Sequence, residues 1–551
     1  MSETTSLPTS NPLPVALPTR LTNFWIPAAL LAIFVAQSLW FIGTQSLTYD
    51  EPGHIIAGLE AWQHGRFQMW TDHPPLGRFW LTLPLARANV EIAQQPLPRG
   101  YIVTAMQPGP EWLAWHTRPM NTLLGVALGI TLWFATRRLF SAGAANIALA
   151  LFAFTPSLIA NFSVTTTDGI GALFVFLTAN QLVLWRRNPS RLQTALMGLV
   201  LGGLLLAKLY TPPEMLLALI LMVVLAYKSR AASAWKPALA ALGIALLTWW
   251  AGYLFHVSHL EVGNGQVVAT FPHRETKTWE TKSKARLDVL VPAGEYVEGL
   301  REVAFSNHHG RPTWFLSMIY PKGAPWLFYP VAILLKWPLV LLVLFLASAL
   351  GGVRKTCRAP SDLLIMCSFG VLFLIFALQS RFAIGERHIL PLYPFALLIA
   401  GGIWELVRAS RVGLAVMVVA LALNAADALR CAPDYLAYFN IIVKPQNAWQ
   451  LLTDSNLDWG QGLIALRKYE RQHSDEKLHL AYFGSVAPEL YGIKAEPLVP
   501  EVPVIGKLVV GASCLSGQVL LEHRSYGWLW KYAPEGMIDR SMLVFDTSKA
   551  E

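Results

Sequence analysis

Charge is scarce in this chain. Only 14% of its 551 residues are Asp, Glu, Lys or Arg, while 54% are hydrophobic; a soluble domain of ordinary make-up carries roughly 25% charged residues. The shortage excludes a conventional water-soluble fold for most of the length, because the surplus apolar surface has to meet lipid. Cysteine is scarce too. Cys357, Cys367, Cys431 and Cys514 form no CxxC pair, so neither a zinc ribbon nor a thiol-redox motif is present. HExxH, a Walker sequence and a GxGxxG following a strand are missing, which removes the usual signs of a zinc hydrolase, an ATPase and a nucleotide-sugar site. His308 and His309 are adjacent and project apart, so no metal constellation is read, and any need for a divalent metal stays open. There is no repeat at a fixed period, which argues against a solenoid or a repeat-built transporter.

What the chain does have is apolar runs. They fall at 23–43, 119–136, 142–161, 167–185, 192–208, 213–228, 236–257, 325–350, 361–379, 387–407 and 412–430. Most have the length a bilayer requires, and together they predict about eleven transmembrane helices in a mainly α, polytopic membrane protein. Residues 1–20 lack the basic start and cleavage site of a signal peptide, so the run from Phe24 to Thr44 is expected to remain as a span. The net charge of +9 would raise nucleic acid as a partner in a soluble protein. Here the cations cluster between spans, and orientation in the membrane explains them without nucleic acid. With 1–22 as a cytoplasmic tail, the inner connections hold Arg137-Arg138, Arg186-Arg187-Arg191, Lys228-Arg230-Lys236, Arg354-Lys355-Arg358 and Arg408-Arg411, as the positive-inside rule requires.

That topology divides the chain into a membrane module, 23–430, with outer loops at 44–118 and 258–324, and an outer C-terminal domain, 431–551. Amphipathic stretches near 51–65 and 75–88 interrupt the first loop. In the C-terminal part Leu463 to Tyr469 reads as helix, and His479–Phe483 and Lys507–Val510 read as strands, predicting a small α/β domain. Cys431 and Cys514 both fall on the outer side, and whether they pair is not readable from sequence.

Four constellations carry chemistry. Tyr49-Asp50-Glu51-Pro52 sits just past the first span. Asp50 reads both as a helix N-cap, with Pro52 in the first turn, and as a carboxylate placed to take a proton from a hydroxyl; a cap would also fix the carboxylate. Asp72-His73-Pro74-Pro75-Leu76-Gly77-Arg78 starts a helix at its proline pair, with His73 and Arg78 as phosphate ligands or as members of a surface turn. Asp168, after three threonines, is a cap or a second active-site carboxylate. Lys208, Lys336, Arg381, Arg387 and His388 lie near the outer ends of spans. Lys336 stands inside an apolar run, where a charge either snorkels or meets an anionic head-group.

In this order the pieces resemble the phospholipid-carrier-dependent glycosyltransferases of the GT-C class, which include the protein O-mannosyltransferases and the lipid A aminoarabinose transferases. The resemblance rests on Tyr49-Asp50-Glu51, His73-Pro74-Pro75-Leu76-Gly77, Asp168, Tyr329-Pro330 through Lys336-Trp337-Pro338, Glu386-Arg387-His388 through Pro391-Leu392-Tyr393-Pro394-Phe395, and Leu452-Thr453-Asp454-Ser455-Asn456-Leu457-Asp458-Trp459-Gly460-Gln461. It covers most of the chain. It implies Asp50 as catalytic base, Glu51 and Asp168 as accompanying acids, and His73, Arg78, Lys208, Lys336, Arg387 and His388 around the lipid phosphate. Three positions depart from the pattern: Arg78 where many relatives have Lys, His388 where an aromatic is common, and Gly462 where an acid is common.

The expected activity is transfer of a sugar, with inversion, from a polyprenyl-phosphate carrier to a hydroxyl acceptor on protein, lipid or glycan. The expected place is the outer face of a bacterial plasma membrane, with membrane lipid as surroundings. A lipid-linked donor explains why no nucleotide motif appears. The rivals are a secondary transporter that uses Asp50, Asp168 and Lys336 as coupling sites, whose mark would be paired interrupted spans in two related halves, and a catalytically inactive scaffold.

Overall fold

The computed structural model describes residues 24–98, 100–228, 235–273, 275–281, 286–520 and 525–549. The tail at 1–22 and Arg230 of the third basic cluster lie outside them. The chain is mainly helical. In order, the first ten α-helices are α1 (Trp25–Thr44), α2 (Glu51–His64), α3 (Pro75–Leu81), α4 (Pro110–Leu139), α5 (Ala142–Ala153), α6 (Pro156–Asn161), α7 (Asp168–Arg187), α8 (Arg191–Ala207), α9 (Pro212–Lys228) and α10 (Trp235–Gly252). Among the described residues six helices are long and apolar enough to cross a membrane: α1, α4, α7, Pro360–Leu378, Glu386–Val407 and Arg411–Cys431. A bent pair, Phe328–Lys336 with Leu339–Leu350, would make a seventh. The protein is a multi-pass membrane protein.

The count differs from the expected eleven for local reasons. The run 142–161 breaks at Thr155, and Pro156 opens α6 where a missing N–H costs nothing. The run 325–350 turns through 111° at Trp337-Pro338, because the residue before a proline is steered out of helix. The run 236–257 is helical only to Gly252, and Val257 already begins a strand. In the other direction, α4 starts at Pro110 and runs through Pro119 for 30 residues, so part of the expected outer loop is helix. The basic clusters are helix ends. Arg137-Arg138 and Arg186-Arg187 occupy the last turns of α4 and α7, where cations oppose the helix dipole. Ser141, Ser190 and Ser410 each cap the helix that follows.

The segment 257–292 is a four-stranded antiparallel sheet in the order 277–280, 266–270, 257–263, 287–292. Its central hairpin turns at Asn264-Gly265, both left-handed, with φ of 53° and 78°, as a two-residue hairpin loop requires. In the C-terminal part, helix Leu463–Gln472 accompanies a five-stranded sheet ordered Glu496–Pro497, Leu478–Ala481, Lys507–Gly511, Met542–Asp546, Gly536–Ile538. Side chains alternate between its two faces. Val509, Met542 and Val544 join Leu463 and Leu466 in a core shared with Leu47, Ile55, Leu59, Val103 and Leu113 of the first loop. Leu508, Val510, Leu543 and Phe545 face the main core of the bundle. The sheet is thus wedged between loop and bundle. All four cysteines are free, so Cys431 and Cys514 do not pair.

Candidate active site

The first span delivers the chain into a short extended segment, Gln45–Thr48, before α2 begins at Glu51. This segment is tied on two sides. The Ser46 N–H donates to Gln461 O at 2.8 Å and the Tyr49 N–H to Trp459 O at 2.9 Å. The Leu47 N–H donates to the Tyr491 hydroxyl at 2.8 Å. From the other side Arg118 of α4 donates to Gln45 O at 2.7 Å and Ser46 O at 2.6 Å.

Asp50 stands at the N-cap position of α2, yet its side chain makes no capping bond. Its Oδ2 accepts instead from Arg387 Nη1 at 2.7 Å. Asp168 is the first residue of α7 and also caps nothing; its Oδ2 lies 3.4 Å from the same Arg387 nitrogen and its Oδ1 2.9 Å from Lys208 Nζ. The cap readings therefore give way to an alternating row, Asp50, Arg387, Asp168, Lys208. Asp50 is the open end of that row: its side chain is 20% exposed, against 3% for Asp168 and 8% for Arg387. The Arg387 guanidinium carbon lies over the Trp459 ring, 4.0 Å from its centroid.

Glu51 is placed otherwise than a second catalytic acid. It is fully enclosed, and both its oxygens are engaged: Arg118 Nε at 2.9 Å and Nη2 at 2.8 Å, with the N–H groups of Thr48 and Thr165, each at 2.6 Å. Burial alone would raise its pKa; the Arg118 charge and these hydrogen bonds outweigh burial and hold it below the ordinary carboxylate value. Because Thr165 precedes Asp168 by three residues, this one ion pair anchors both acid-bearing segments.

Beside the row is a second polar group. His73 Nδ1 lies 3.1 Å from Asp72 Oδ1, and the His73 ring is 4.8 Å from that of His54. Burial works against the ionised Asp72, but His73, Arg78 and Lys208 keep its pKa well below normal. Arg78 is buried and donates to Trp70 O. His54 is 1% exposed, and neither ring nitrogen has a protein partner. Burial, then the charges of His73, Lys208 and Arg78, hold its pKa well below the ordinary imidazole value. Gly77 lets α3 close on the α7 start, since a Cβ there would come within 2.6 Å of Thr167 Cγ2.

Two expected phosphate ligands are engaged by other partners. Lys336 is buried, donating to Leu436 O at 3.0 Å and Asn456 O at 2.6 Å, so it neither snorkels nor reaches the row. His388 Nδ1 lies 3.1 Å from Phe382 O and its ring stacks on Phe382.

The stretch 452–461 is a turn that holds the site together. Asn456 accepts from the Glu386 N–H at 2.8 Å, fixing the residue before Arg387. Asp458 accepts from Ser513 N at 3.0 Å and Gly460 N at 3.3 Å, which holds Trp459 in place. Gly460 has φ of 87° and lies against Phe483 O, where a Cβ would come within 2.5 Å, so only glycine fits. Asp454, also left-handed at φ of 57°, faces the site; burial pushes its pKa up to about 6 against the opposing charge of Arg387. Burial likewise pushes Asp458 up to about 7.

Arg118, His54, Asp454 and Trp459 were not singled out individually from sequence. His54 had a signal, four residues after Asp50 and so on the same helical face. Arg118 had one too, as a cation immediately before the apolar run at 119–136 and available to neutralise Glu51. Metal-ligating side chains come together at His259, Glu261 and Asp288, on the surface of the four-stranded sheet, where His259 already meets Asp288 at 2.5 Å and Glu261 at 3.5 Å.

No protein-family model and no curated protein sequence matches the chain. Solved structures do. The Saccharomyces cerevisiae protein O-mannosyltransferase Pmt1-Pmt2 complex bound to the sugar donor superimposes with a TM-score of 0.50 at 10% identity, over 75% of this chain and 90% of that one. ArnT from Cupriavidus metallidurans bound to undecaprenyl phosphate gives 0.49 at 12% identity, over 95% and 97%. The oligosaccharyltransferase AglB from Archaeoglobus fulgidus, in complex with an inhibitory peptide and a dolichol-phosphate, gives 0.45 at 11% identity, over 96% and 75%. The likeness to the yeast complex gives this chain the fold of a GT-C glycosyltransferase.

Proposed function

We propose that this protein is an inverting glycosyltransferase that moves a sugar from a polyprenyl-phosphate carrier to a hydroxyl acceptor on the outer face of a bacterial plasma membrane. The observation that carries the reading is the row Asp50, Arg387, Asp168, Lys208, in which the one carboxylate open to solvent sits next to buried cations. An acceptor hydroxyl approaches Asp50 and gives up its proton to that carboxylate as its oxygen bonds to the anomeric carbon. The bond from that carbon to the phosphate oxygen breaks with its electron pair, and polyprenyl phosphate departs. Arg387 and Lys208 stabilise the charge that develops on the phosphate. Asp168 keeps those two cations in place. Glu51 and Lys336 take positioning roles: Glu51 through Arg118, and Lys336 through the turn at 452–461.

The test is transfer from a radiolabelled polyprenyl-phosphate sugar to a crude acceptor fraction by purified protein, alongside Asp50→Asn. The Asp50 side chain caps nothing, and the Asn oxygen can still accept from Arg387 where Asp50 Oδ2 does now, so the variant stays folded with at most a small fall in unfolding temperature and loses activity by roughly a hundredfold or more. A stable Asp50→Asn protein transferring at the wild-type rate would move the base to Asp168. Absence of transfer with every polyprenyl-phosphate sugar tried would sink the reading as a whole.

A further inference from the structure

The far end of the bundle holds a second site. From Asp168 to Arg186 is 18 residues of one helix, α7, or roughly 27 Å along its axis. At that end is a cleft of about 810 Å³ between α8, α9 and α10, closed on one side by the last turn of α7. The helices pack in a way that opens it. Gly198 and Gly202 bring α8 directly against α10: a Cβ on either would come within 2.8 Å of the Ala241 or Ala245 carbonyl. Such small-residue spacing lets two membrane helices approach closely, and α9 stands off at its basic end.

The walls and the rim of the cleft differ in chemistry. Leu225, Ala240 and Ile244 give it an apolar floor. Arg191, Lys228 and Lys236 line its mouth, one each from α8, α9 and α10, and none has an acidic partner among the described residues. Arg186 also lines it, but Asp362 is paired with both Arg186 and Arg187, leaving a further unbalanced positive charge. The nearby ends of α8 and α10 are N-termini, which add positive potential.

We infer that this cleft binds the phosphate head-group of an anionic phospholipid, with the upper acyl chain on its apolar floor. Basic pockets between membrane helices suit such head-groups. A free phosphate would satisfy the cations and leave the floor empty. A zwitterionic lipid would fill the floor and leave the cations unbalanced. The inference does not depend on which sugar or acceptor the opposite end handles.

The test is native mass spectrometry of the full-length protein in detergent, titrated with phosphatidylglycerol, with phosphatidylcholine of the same chains, and with glycerol phosphate. One saturable phosphatidylglycerol is expected, much tighter than either comparison ligand. Lys228→Gln with Lys236→Gln should weaken it by roughly thirtyfold, about fivefold for each surface cation removed. Thermal unfolding checks that the double variant is folded; if it is not, Lys228→Gln alone should weaken binding about fivefold, and Ala240→Trp, which fills the floor, should weaken it without any change of charge. Equal affinity for phosphatidylcholine, or unchanged phosphatidylglycerol affinity in folded variants, overturns the inference. Glycerol phosphate binding as tightly as phosphatidylglycerol would make this a soluble-anion site and refute the lipid assignment.

Discussion

Glutamine in place of Glu51 tests the structure at its most enclosed point. Each carboxylate oxygen receives two donors: Oε1 from Arg118 Nε and Thr165 N, Oε2 from Arg118 Nη2 and Thr48 N. Glutamine has one oxygen and one NH2, so either amide orientation sets an NH2 against two donors while Arg118 loses its counter-charge. Breaking a buried pair by removing one partner costs about 3–5 kcal/mol, a large share of a typical total of roughly 5–15 kcal/mol. Arg118→Met should cost more, because the carbonyls of Gln45 and Ser46 also lose their donors, at about 1–3 kcal/mol for each group left unpaired. Replacing both residues by Met does not restore stability, since those two carbonyls and the N–H groups of Thr48 and Thr165 stay unpaired. The sign with pH follows from the lowered Glu51 pKa. Its stabilisation is complete above the ordinary value of 4.5 and is lost as pH falls through the lower folded value. Thermal unfolding in detergent, with transfer activity measured in parallel, reads these effects. A Glu51→Gln protein that melts at the wild-type temperature would refute the idea that this pair anchors both acid-bearing segments.

Three further outcomes are expected. Lys336→Met, which removes donors from the carbonyls of Leu436 and Asn456, should lower the unfolding temperature and leave the donor KM of the surviving folded protein unchanged; a raised donor KM at full stability would return Lys336 to the phosphate site. Asp454 is raised to about 6 from 3.8, so the folded state holds more protons and stability should fall as pH rises through that window; Asp454→Asn should flatten this slope in unfolding scans, and an identical slope would assign it to other groups. Reporter fusions at Gly265 and Ser548 should both read as exported, and a split result would place an uncounted crossing between them.

Asp50, Asp168 and Arg387 were legible in the sequence because a charge at the end of an apolar run is conspicuous and has few roles there. The strands near 479–483 and 507–510 were legible by alternation, and appear at Leu478–Ala481 and Lys507–Gly511. Lys336 was misplaced because its partners are carbonyls 100 and 120 positions away, and a carbonyl has no sequence signature. Glu51 reads as a second acid because its partner Arg118 is 67 residues distant, and a cation beside an apolar run does not announce which acid it meets. The sheet at 257–292 did carry a signal in Asn264-Gly265 between Val262 and Val267, a two-residue hairpin turn.

The seam between the first loop and the turn at 452–461 has a consequence for biosynthesis. Ser46 Oγ donates to the Gly460 carbonyl, 414 positions later, and Tyr49 leans on Trp459 and stacks against Phe483. During synthesis the segment bearing Asp50 emerges early and then waits through nearly all the remaining membrane insertions for the turn that will seat it. Until then Arg387 lacks the Trp459 ring beneath it and Asp50 lacks a fixed direction. A half-made chain therefore carries every acid of the row without the geometry to use them, and competence arrives in one late step.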